Sequence, residues 1–149
     1  MTDYPEKLRD LIATLGVLDE RTDRIDMLID IAGRFRGVPE EIARRPYPDS
    51  HKVPGCESQA YLFAEPRPDH TLDLHFAVEN PQGVSAMALA VILEETLSGA
   101  PPELVAQVPG EIVYDLFGRQ LSMGKSMGLM GMVNMVTTTA RQHAAGGRE

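Results

Sequence analysis

The sequence predicts an α+β domain in which a small antiparallel β-sheet packs against helices. Three observations predict it. Two amphipathic helical segments open the chain, two alternating segments occupy residues 58–79, and the pattern beyond residue 80 is helical. The 149 residues suit one domain, with a core over about 5–141 and a fraying tail over 144–149.

Leu8, Leu11, Ile12 and Leu15 recur at the spacing of one helix face, with Pro5 near the start and Gly16 at the end. Ile25, Leu28, Ile29, Ala32 and Phe35 repeat the pattern and predict a second buried stripe. Thr22 is the expected N-cap of that helix, Asp23 and Asp26 suit its first turn, and Arg34, Arg36 and Gly37 suit its close. The charges Asp19, Glu20, Arg21, Asp23 and Arg24 read as a solvated helix entrance. Pro39, Pro46, Pro48 and Pro54 then punctuate a polar stretch, read as one helical turn at Pro39–Ala43 followed by an ordered loop.

Ser58–Glu65 is β-like, with Tyr61 and Phe63 on one side and Leu62 on the other. In Thr71–Glu79, Leu72, Leu74, Phe76 and Val78 alternate with Asp73 and His75, which predicts a half-buried strand. Pro66–Asp69 joins the two as a hairpin. Asn80-Pro81 is the expected start of a helix running to about Leu97, and Val84–Leu93 is apolar nearly all round, as a central buried helix would be. Pro101-Pro102-Glu103 and Pro109-Gly110-Glu111 begin two short helices. A last helix spans about Ser122 to His143, with Leu129, Met132, Val133, Val136 and Ala140 facing inward.

Composition removes several function classes. The formal net charge is −8, from 14 basic and 22 acidic residues, so neither nucleic acid nor an anionic membrane is the expected partner. No apolar run approaches the roughly 18 residues of a membrane span. The opening residues have neither the basic nor the apolar region of a secretory signal, so a cytoplasmic location is expected. Four scattered histidines give no zinc spacing, and one cysteine permits neither an internal disulfide nor a redox pair nor a cysteine-rich metal site. Gly124-Lys125-Ser126 resembles the end of a P-loop, but Gly118 is one position too distant and no strand precedes it.

Cys56 is the chief candidate for chemistry. It follows Val53-Pro54-Gly55, which restricts and then frees the backbone as a turn displaying the next side chain requires. Lys52 and His51 would favour a thiolate, whereas Glu57 would oppose it. The plainer reading is a small buried apolar residue. A histidine paired with Cys56 would make a nucleophilic enzyme, and His51, His70 and His75 are the candidates. The methionines Met123, Met127, Met130, Met132 and Met135 read mainly as core, although Met123, Met127 and Met130 lie off the inward stripe. Gly124, Gly128 and Gly131 would let the last helix approach a neighbour closely.

Lys52-Val53-Pro54-Gly55-Cys56-Glu57-Ser58-Gln59-Ala60-Tyr61-Leu62 resembles the loop-and-strand signature of the SufE/CsdE family, with Tyr61 where that family usually has Trp. Leu121-Ser122-Met123-Gly124-Lys125-Ser126-Met127-Gly128-Leu129 is similar to the family's Leu-Ser-Pro-Ser-Arg-x-x-Gly-Leu, with Met123-Gly124 for Pro-Ser and Lys125 for Arg. The apolar helix Val84–Leu97, with Ser98-Gly99 and Pro102-Glu103-Leu104 after it, resembles the intervening segments, so the likeness covers about residues 5–141. It implies a SufE/NifU-like fold and a sulfur acceptor for a pyridoxal-phosphate cysteine desulfurase. Cys56 would be the persulfide acceptor, Val53, Pro54, Gly55, Glu57 and Ser58 would shape its loop, and the family carry-over places the start of the last helix near that loop. Lys125 becomes a partner contact that lacks arginine's planar fork. The resemblance further implies a cluster-assembly scaffold as second partner, stimulation of the desulfurase, and no cofactor on this chain, pyridoxal phosphate residing on the desulfurase. Two rivals stand beside it: a stand-alone cysteine-nucleophile enzyme, and a desulfurase regulator whose thiol is dispensable.

Overall fold

The computed structural model describes residues 4–18 and 20–146. Asp19, the first three residues and the tail from residue 147 lie outside the described residues. The order is α1 (Glu6–Gly16), α2 (Arg21–Ala32), β1 (Ala60–Pro66), β2 (Leu72–Val78), α3 (Val84–Leu97), α4 (Pro102–Val105), α5 (Ile112–Phe117) and α6 (Met123–Gly146), with a short 3-10 turn at Asp49–His51. This is the α+β architecture that the residue pattern predicts.

The two strands pair antiparallel, with Leu62 opposite Phe76 and Ala64 opposite Leu74. The alternation sends Leu62, Leu72, Leu74 and Phe76 into the main core. Tyr61, Phe63 and Ala77 face the other way, into a second small cluster built with Val38, Ile42, Ala43 and Tyr47. The sequence reading puts helices over the sheet, but the proline-punctuated segment covers this face instead, with the Tyr47 ring 5.2 Å from Tyr61 and 5.6 Å from Phe63.

α3 is the central element, packed against α1, α2, α6 and β2. Ala86 and every residue from Ala88 to Leu93 are buried, as their near-continuous apolarity predicts. Its C-terminal half also closes the free edge of β2. Glu94 Oε1 accepts the Phe76 N–H at 2.8 Å and Ser98 Oγ accepts the Leu74 N–H at 3.0 Å. Two edge donors that would otherwise invite another strand are thereby satisfied.

Several local expectations are corrected. The helix expected from Asn80-Pro81 begins at Val84, because Asn80 first closes a turn: its carbonyl accepts the Gly83 N–H at 2.9 Å. Thr22 lies inside α2 and Glu20 is the N-cap, with no side-chain cap bond. Arg24 is no solvated entrance charge. Its guanidinium donates to the carbonyls of Asp115, Leu116 and Leu15, so one cation tops the C-terminal ends of α5 and α1. α6 continues through residues 144–146, where the sequence reading has a frayed tail, since Ala144 and Ala145 do nothing to break it. The α6 stripe is as predicted: Leu129, Met132, Val133, Val136 and Ala140 are all buried. The α2 stripe is rotated. Leu28 and Ile31 are buried, while Ile25 and Ile29 are 43% and 53% exposed.

Candidate functional site

Cys56 lies in the turn between the 3-10 segment and β1. Val53 anchors this turn: its side chain is buried in the main core, and its N–H donates to the Ala60 carbonyl at 2.8 Å. Burying a valine there is worth about 2 kcal/mol. Gly55 sits at φ +72°, a left-handed conformation that other residues adopt at a cost, and the chain then turns back, with the Gln59 N–H donating to the Cys56 carbonyl at 3.2 Å. On the far side, Asn80 and Glu79 donate their N–H groups to the carbonyls of Ser58 and Gln59. The turn is therefore tied to both strands.

The third support comes from α6. A β-carbon on Gly128 would stand 3.3 Å from Cys56 Cα, and one on Gly131 would stand 3.0 Å from the Pro54 carbonyl oxygen. These glycines let α6 approach a neighbour closely, as their spacing suggests, and the neighbour is the cysteine turn itself. Gly83 performs the same service on the other wall, where a β-carbon would meet Ser58 Oγ at 2.8 Å.

Cys56 is half-buried. It lines a cleft of about 240 Å³ together with Glu57, Ser58, the Gln82–Ala86 segment and Ser122, Gly124, Lys125, Gly128 and Leu129. Two long helices, α3 and α6, begin in this cleft. Ser122 caps α6, its Oγ accepting the Lys125 N–H at 3.2 Å. The first turns of both helices and the exposed Lys125 side chain line the cleft together with Cys56. The Glu57 carboxylate lies over the first turn of α6, with Oε1 3.8 Å from where a Gly124 β-carbon would be.

The structure divides the sequence-derived candidates. Cys56, Glu57, Ser58 and Lys125 share the cleft, whereas Val53, Pro54 and Gly55 shape the turn without lining it. Lys52 forms a bridge to Tyr61 at the base of the turn and does not line the cleft. His51 is committed elsewhere: Nδ1 lies 2.8 Å from the Leu62 carbonyl and the ring stacks on Phe63 at 4.5 Å. His70 and His143 meet each other, with ring centroids 5.0 Å apart. Among the described residues no histidine lines the Cys56 cleft, and no cluster of three or more His, Cys, Asp and Glu side chains is placed to hold a metal. No described helix is long and apolar enough to cross a membrane. The Gln82–Ala86 wall had no chemical signature in the sequence. Only the expected helix start near Asn80 pointed towards it.

Large exposed apolar side chains gather near this site. Val84 lines the cleft and is 44% exposed, and Met123 and Met127, on the first turns of α6, are 78% and 60% exposed. The methionines are thus divided, with Met132 fully in the core and this pair on the surface.

An α+β domain presenting one thiol in a helix-flanked cleft is the class of protein that fold and site define. The family model described as SufE: Fe-S metabolism associated domain matches residues 9–140. The chain therefore belongs to the SufE family, which is associated with Fe–S metabolism. Among solved structures, it is similar to the solution structure of a hypothetical protein from Thermus thermophilus, with a TM-score of 0.73 and 19% identity over 96% of this chain and 99% of that one. That likeness supports the fold. None of the curated proteins compared matches the chain.

Proposed function

We propose that this protein accepts persulfide sulfur from a cysteine desulfurase onto Cys56, stimulates that desulfurase, and passes the sulfur on for iron–sulfur cluster assembly. The Cys56 thiolate attacks the outer sulfur of the desulfurase persulfide. A new S–S bond forms on Cys56 Sγ, the donor's S–S bond breaks, and the donor cysteine leaves as a thiolate. The Cys56 proton is lost to solvent and the departing thiolate takes one up. The step is an exchange with no net oxidation. A cluster-assembly scaffold is the onward recipient, and no cofactor need bind to this chain.

One observation carries the reading: the chain's single cysteine is half-buried in an open cleft where two helices begin, within reach of a partner. A carrier needs one reactive thiol and no second one, because a neighbouring thiol would displace the bound sulfur and leave a disulfide. The described lining of the cleft includes no histidine, so the cysteine–histidine pair of a nucleophilic enzyme is not assembled there.

The test is desulfurase turnover, measured as alanine formed from cysteine with this protein present. The wild type raises turnover and Cys56→Ser does not. Equal stimulation by both would make the protein a regulator whose thiol is dispensable.

A further inference from the structure

The Cys56 cleft continues into a larger groove of about 450 Å³ between α2, α3 and the start of α6, and the two share Val84, Ser85, Ser122 and Lys125. The exposed side of the α2 stripe faces into it. Ile25 and Ile29, whose spacing predicts burial, line this groove and remain largely solvent-accessible. Apolar side chains left open at i and i+4 on a packed helix are a typical seat for a partner's apolar side chains.

Charge says what kind of partner. The groove is lined by Arg21, Arg24 and Lys125 and, among the described residues, by no Asp or Glu, in a chain with 22 acidic and 14 basic residues. α2 achieves this by segregation: Arg21, Arg24, Ile25, Leu28 and Ile29 line the groove, while Asp23, Asp26 and Asp30 do not. At about 100° per residue, the three aspartates centre on a direction well away from Arg21 and Ile25. Arg24 is occupied by the helix ends it tops, which leaves Arg21 and Lys125 as exposed cations at the groove.

We propose that this groove seats a segment of the sulfur-donating desulfurase that carries large apolar side chains flanked by carboxylates. This inference rests on the sulfur-acceptor reading and adds to it the place and chemistry of the contact. The apolar side chains bury against Ile25, Ile29 and Val84, and the carboxylates pair with Arg21 and Lys125. Because groove and cleft are continuous, a segment seated there holds the donor persulfide beside Cys56.

The test uses the full chain with a pyridoxal-phosphate cysteine desulfurase from the same organism, and follows loading of Cys56 against acceptor concentration. Arg21→Glu and Ile29→Asp should each raise the half-saturating concentration at least about tenfold, and the wild type should weaken as salt is added. Asp30→Lys, on the other flank of α2, should behave as wild type. Loading from glutathione persulfide, which needs no docking surface, should be equal in all four proteins and so reports intact folding. Wild-type half-saturation in both groove variants would overturn the groove and leave the acceptor reading standing. Wild-type protein that takes sulfur from glutathione persulfide but not from the desulfurase would overturn both. Self-association of the wild type that Arg21→Glu abolishes would assign the groove to a second copy of this chain, and would also overturn the proposal.

Discussion

Gly128 is in backbone contact with Cys56: a β-carbon on the glycine would lie 3.3 Å from the cysteine Cα. The close approach of the cysteine turn to α6 thus depends on a missing side chain in another element, 72 residues further along the chain. Gly128→Ala forces the turn or the helix to give by a few tenths of an ångström, and the turn is the softer of the two. Alkylation of Cys56 by iodoacetamide should then speed up several-fold, while the melting temperature falls by only a few degrees. An unchanged alkylation rate would mean that α6 does not hold the thiol in.

Gly55 acts on the same turn from within. At φ +72° an alanine costs about 1 kcal/mol of backbone strain, although no neighbour obstructs its β-carbon. Gly55→Ala should therefore lower stability by about that amount in denaturant titration. A stability equal to wild type would show that the turn relaxes to another conformation, and its Cys56 alkylation rate should then change.

Lys125 supplies the full positive charge of the cleft. Lys125→Glu should slow Cys56 alkylation at neutral pH by about two- to fivefold, an effect that shrinks in high salt, whereas Lys125→Arg should stay near wild type. Rates for the Glu variant that match wild type at low salt would remove Lys125 from the chemistry of the thiol.

Glu94 makes stability depend on pH. Burial, with a smaller contribution from neighbouring Glu95, pushes its carboxyl up to about 7, only partly opposed by the Phe76 N–H it accepts. Between the ordinary carboxylate range and about pH 7 the folded chain therefore holds more protons than the unfolded chain, so stability falls as pH rises through this window. Above it the full cost of a buried anion is present. Glu94→Gln, whose amide oxygen still accepts the strand N–H, should raise the melting temperature at pH 8 and leave it nearly unchanged at pH 5. Equal shifts at both pH values would contradict this account.

Much of the fold was legible because long-period patterns report burial directly. The α6 stripe, the alternation of β2 and the all-round apolarity of α3 each specify one packing. The α2 stripe misled for a physical reason. Periodicity shows which residues can share an apolar face, not whether this chain covers that face, and Ile25 and Ile29 line an open groove. The sheet's second face was equally illegible, since nothing local marks Tyr47 as its cover. At the site, Cys56 and Lys125 were found through sequence motifs. The Gln82–Ala86 wall and the contact of Gly128 with Cys56 join distant parts of the chain and have no local signal. His51 was a false lead of the same origin, being close to Cys56 in sequence while its ring stacks on Phe63.

The most direct test of the central claim is the intact mass of the protein after incubation with a cysteine desulfurase, pyridoxal phosphate and free cysteine. The account predicts the added mass of sulfur on the wild type, located on the peptide containing Cys56, removed by reductant and absent from Cys56→Ser. A wild-type mass that stays unchanged while the desulfurase turns over would contradict it.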